Sequence, residues 1–116
     1  MKKFFPLLLF CAVLFTGCEK YEFGYIESLE GTAWQYNISS KYYYIFDFKK
    51  SSLTWRIQDG DKVSTRSGLT WHCSNDGTLN IYWSEYIGSG PYMTGNFDKY
   101  KGTLTVDGNK YKLISQ

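Results

Sequence analysis

The chain has 116 residues, enough for one small domain and not two. Aromatics make up 20% and charged residues 21%, too many rings and too little charge for a disordered segment, and two prolines with eleven glycines exclude a collagen-like or Pro-rich linker protein. One histidine and three cysteines leave few routes to a metal site or a histidine-based catalyst.

Met1-Lys2-Lys3 is a short basic start, and Phe4 to Phe15 is almost uninterrupted apolar chain. That run is about a dozen residues, whereas a stable membrane-spanning helix takes roughly twenty. A basic start, a short apolar run and a small residue before a cut describe a secretory signal peptide. Phe15-Thr16-Gly17-Cys18 then resembles the lipobox of bacterial lipoproteins, with Phe15 where that family usually carries Leu, Val or Ile. The resemblance implies cleavage before Cys18, a diacylglycerol on its sulfur and an acyl group on the new amine. It implies secretion across the inner membrane and a lipid anchor in the bacterial envelope, most readily at the outer membrane. Two or more acyl chains hold a protein firmly, since each buried CH₂ contributes about 0.8 kcal/mol. Cys11 lies inside the apolar run and reads as a small hydrophobe.

Cleavage removes Lys2 and Lys3 from the 13 basic residues and none of the 11 acidic ones, so the mature chain has no formal net charge. A nucleic-acid partner is therefore not expected, because no surplus of Lys and Arg is there to displace counterions. With Cys18 lipidated, Cys73 has no cysteine to pair with, and the domain must rely on its core rather than on a disulfide. Residues 1–17 are expected as signal peptide, 18–31 as a lipidated tether with one helical turn near Ile26 to Leu29, and 32–116 as a single β domain.

From Thr32 onward the apolar pattern has period two. Trp34, Tyr36 and Ile38 alternate with polar residues; Tyr42, Tyr44, Phe46 and Phe48 share a face. Leu53, Trp55 and Ile57 follow, then Leu69, Trp71 and Cys73, then Leu79, Ile81 and Trp83. Met93, Gly95 and Phe97 share a face, and Leu104, Val106, Tyr111 and Leu113 close the series. Lys62 to Thr65 adds a further short strand. Asp59-Gly60, Asp76-Gly77 and Asp107-Gly108 mark turns, since glycine supplies positive φ and aspartate caps the bend. The longest connection is residues 85–91.

The pattern predicts an all-β fold of eight or nine antiparallel strands in an up-and-down meander. Short links forbid parallel crossovers, which need a dozen or more residues. Closure into a barrel hides both the apolar face and the edges, with a two-sheet sandwich as the alternative. Gly31-Thr32-Ala33-Trp34 is similar to the Gly-x-Trp start of lipocalins, and the Asp107-Gly108-Asn109-Lys110 hairpin to the end of small bacterial lipocalin-like domains. That resemblance implies a ligand-binding cup with Trp34 across its closed end.

Candidate chemistry is sparse. In a strand His72 and Cys73 point to opposite faces, so they do not form a nucleophile–base pair, and Cys73 reads as buried. The aspartates beside glycines are accounted for by their turns. The sequence thus predicts no enzyme, no catalytic residue, no metal and no cofactor. It predicts a small apolar or amphipathic ligand against the inward aromatics Trp55, Trp71, Trp83 and Phe46. The alternatives are protein or glycan recognition by outward tyrosines, with Tyr43, Tyr82, Tyr86 and Tyr92 as candidates, and a purely structural lipoprotein.

Overall fold

A computed structural model describes residues 22–116. The expected signal peptide, Cys18 and the first part of the expected tether lie outside the described residues. Eight strands follow one another: β1 (Ala33–Asn37), β2 (Tyr42–Phe48), β3 (Ser52–Asp59), β4 (Lys62–Cys73), β5 (Thr78–Trp83), β6 (Met93–Asp98), β7 (Thr103–Val106) and β8 (Asn109–Ser115). Each pairs antiparallel with the next, and β8 returns to β1 through Trp34 opposite Leu113, so the sheet is a closed barrel. Closure leaves no unpaired edge and decides between barrel and sandwich.

The turns follow their residue types. Asp107 and Gly108 both have positive φ, 51° and 84°, which gives the two-residue connection a backbone twist matched to β7 and β8. Asp76 caps the β4–β5 turn by accepting from the Ser74 hydroxyl at 2.6 Å and the Thr78 amide at 3.0 Å. These bonds favour its charged form, so its carboxyl is lowered to about 2, with the Ser74 bond the largest cause.

Period-two alternation puts one face of every strand inside. Trp34, Phe46, Phe48, Leu53, Leu69, Leu79, Ile81, Leu104 and Val106 are fully buried there. Rings fill the axis. Phe46 stacks on Tyr111 with centroids 4.9 Å apart and lies 5.8 Å from Trp55, while Trp34 meets Phe97 edge-on at 6.3 Å. The middle of the barrel is thus packed side chain rather than a deep cup, as eight strands allow.

The floor is built by residues the alternation does not reveal. Residues 22–31, expected as tether, dock on the barrel and contain no helix. The Phe23, Gly24 and Ile26 amides donate to the Gly102, Lys101 and Lys99 carbonyls. This strap can lie so close because Gly102 has φ 67°, and a Cβ there would collide with the Gly24 carbonyl. Ile26 and Leu29 are buried under it. The buried Thr32 hydroxyl donates to the Leu29 carbonyl and accepts from Trp34 Nε1 at 2.8 Å. Trp34 therefore sits above the closed end, tied to it by its one polar atom.

The segment 62–65 is not a separate strand but the start of the 12-residue β4. Leu53 pairs with Leu69 while Trp55 pairs with Arg66, so β4 carries one extra residue at this point. Gly68, at φ 81°, provides the bulge.

Candidate functional site

The bulge determines what lines the other end of the barrel. Counting back from Leu69 by twos would turn Ser67 inward and Arg66 outward. The extra residue reverses this, and Arg66 becomes the direct cross-strand partner of inward-facing Trp55. Its guanidinium carbon lies over the Trp55 ring at 4.8 Å and over the Trp83 ring at 5.3 Å. Its Nη1 donates to the Tyr92 hydroxyl at 3.4 Å, a long bond. Contacts of a cation with ring faces contribute about 0.5–2 kcal/mol each, more as water is excluded.

Aromatics continue around the mouth. Tyr92 packs against Trp83 at 5.1 Å and against Tyr86 at 5.2 Å, and Tyr44 meets Trp55 edge-on at 5.3 Å. Tyr36, Tyr44, Trp83 and Tyr92 are half-buried against the core. Hydrogen bonding with Tyr42 raises the Tyr44 hydroxyl above its ordinary value, burial adds to this, and the Arg66 charge opposes both. Burial raises Tyr111 strongly, so it is a neutral phenol below the mouth.

Two features of the mouth are electrostatically unfinished. Among the described residues, no carboxylate lies within ion-pair distance of Arg66; Lys49 and Asp47 form an ion pair at 3.5 Å elsewhere, between exposed groups. The indole Nε1 atoms of Trp55 and Trp83 are buried with no hydrogen-bond partner. An unmet buried donor costs about 1–3 kcal/mol. The mouth therefore gathers a cation without a counter-charge and two indole donors without acceptors.

Of the inward aromatics expected to meet a ligand, Trp55 and Trp83 come together here. Phe46 lies beneath them, fully buried, as floor. Trp71 is at the opposite end, with its Nε1 donating to the Lys49 carbonyl at 3.0 Å and its ring against Phe48. There it lines a cleft of about 210 Å³ with Cys73, Glu27 and Lys99. The four candidate tyrosines do not form one surface. Tyr43 and Tyr82 stand on strands β2 and β5, separated by β3 and β4, whereas Tyr86 belongs to the mouth. Tyr92, expected outward, is turned into the mouth by its ring contacts and by its amide bond to the Ile81 carbonyl at 2.7 Å.

His72 is exposed on the outer face, and Cys73 is half-buried on the inner one. Burial and then Asp76 push the Cys73 thiol up, which disfavours the thiolate a nucleophile needs. No group of three or more potential metal ligands occurs among the described residues. Arg66 escaped the sequence reading because Lys62 to Thr65 and Leu69 to Cys73 are read there as separate strands, which leaves Arg66 in the gap between them; Gly68, within what is one continuous strand, was the signal for a bulge.

Compared with protein-family models, curated proteins and solved structures, the chain matches none.

Proposed function

We propose that this chain is a lipid-anchored envelope protein that binds one small amphipathic molecule at the mouth of its barrel and catalyses no reaction. The anchor reading rests on the lipobox-like Phe15-Thr16-Gly17-Cys18 after a short apolar run. The observation that carries the binding reading is Arg66, half-buried between Trp55 and Trp83 with no carboxylate beside it. Because Phe46 and Tyr111 stack beneath the mouth, the ligand sits across the rim instead of entering a deep cup. A ring-lined rim with one charge suits a molecule with an apolar body and a single polar end.

Two experiments test the parts separately. Radiolabelled palmitate should enter the wild-type protein in cells and not Cys18→Ala, which should leave the membrane fraction; unchanged labelling overturns the anchor. A panel of amphiphiles should alter tryptophan emission through Trp55 and Trp83. Emission that stays constant across the panel overturns binding at the mouth.

A further inference from the structure

We infer that the polar end recognised at the mouth is a monoanionic carboxylate, held by Arg66 and by the indole N–H groups of Trp55 and Trp83; this rests on the mouth being the binding site. Charge comes first. Arg66 brings one positive charge that no described carboxylate balances, so a single negative charge completes the site. A phosphate dianion would remain half-neutralised by a lone guanidinium.

Geometry narrows the choice further. The guanidinium carbon lies over two indole rings, at 4.8 and 5.3 Å, and its Nη1 is engaged with the Tyr92 hydroxyl. What it still offers is an N–H edge. Two parallel bonds from such an edge match the two oxygens of a carboxylate in one plane. Trp55, 8% exposed, and Trp83 add two indole donors whose hydrogen-bonding capacity nothing in the described protein uses. A carboxylate has about four lone-pair directions, so it can accept from the guanidinium edge and still have capacity for indole donors.

The same cluster argues against a cationic ligand. Trp55, Trp83, Tyr92 and Tyr44 surround a positive charge, as a cage for a quaternary ammonium would. That place is held by Arg66 itself, and a second cation would face Arg66 and two unmet donors. The device behind the arrangement is the Gly68 bulge, which turns the arginine into the mouth.

The test titrates residues 19–116, which contain the whole barrel and its strap, with decanoate, 1-decanol and decyltrimethylammonium below their micellar concentrations. Emission and calorimetry are the readouts. Decanoate is expected to bind about tenfold or more tightly than decanol, as a charge-assisted bidentate pair warrants. Arg66→Met should abolish that preference, so that decanoate binds no more tightly than decanol, and Arg66→Lys should restore part of it. Equal affinity for decanoate and decanol overturns the carboxylate assignment and leaves the mouth standing as a binding site. Preference for the ammonium probe overturns it as well. No binding of any probe overturns both readings. The wild-type comparison of three probes decides the matter even if the Arg66 variants fold poorly.

Discussion

Replacing Phe46 by alanine tests whether the barrel is packed to its axis. The ring is fully buried and stacks on Tyr111 at 4.9 Å, with Trp55 at 5.8 Å and Phe48 at 6.2 Å. Its removal loses the transfer free energy of the ring, about 2 kcal/mol. It also leaves a void of about 100 Å³ if the neighbours hold still, which costs a further 2 kcal/mol or so at ~24 cal/mol per Å³. The expected loss is therefore about 4 kcal/mol, a large part of the total stability of a domain this size. In a thermal melt followed by circular dichroism, this corresponds to a fall in Tm of about 15–30 °C. A small aromatic such as benzene should recover part of the loss by occupying the void, as dry apolar cavities do. A loss under about 1 kcal/mol, with no response to benzene, would refute the packed-axis argument, because a hollow barrel would hardly feel one missing ring.

Further predictions concern the bulge, the capped turn and the thiol. Gly68→Ala and Gly108→Ala put a side chain at nearly the same positive φ, 81° and 84°, so each should cost about 1–2 kcal/mol in chemical denaturation. Gly68→Ala alone should also weaken decanoate binding, because only that residue sets the direction of Arg66; equal effects on binding would contradict the role of the bulge. Asp76 is held at about 2, below its ordinary 3.8, so its contribution to stability is full above the ordinary value and fades as pH falls toward 2. Asp76→Asn should flatten the acid limb of the stability profile over that interval, and an unchanged limb would remove Asp76 as its source. Cys73 should react with iodoacetamide at neutral pH more slowly in the native protein than in denaturant, since burial raises its thiol. Equal rates by mass spectrometry would show that the thiol is not protected.

The barrel was legible in the sequence because its inward face is apolar on nearly every strand and its connections are short. Tyr42, Tyr44, Phe46 and Phe48 show one side of β2 directly, and Asp107-Gly108 shows a turn. Half of the mouth was visible in the same way, as Trp55 and Trp83 fall on inward positions. Three parts were hidden for physical reasons. Arg66 is brought inside by one extra residue in β4, and a one-residue slip moves every later side chain to the other face. Tyr92 lies just outside β6, where no alternation applies, and is placed by Trp83, Tyr86 and the Ile81 carbonyl. Ile26 and Leu29 cover the floor from an irregular strap held by backbone bonds, which leave no periodic trace in the residues.

If Cys18 carries the proposed anchor, the strap also sets which end of the barrel lies nearer the bilayer. It secures Phe23 to the β6–β7 corner, at the end away from Arg66. Five residue steps link Phe23 to Cys18, a reach of at most about 18 Å even when drawn straight. A diacylglycerol on that cysteine would moor the barrel base-down, with its rim held toward the water. Cargo would then arrive from the aqueous compartment, handed over by diffusion, and not by sliding sideways out of the lipid.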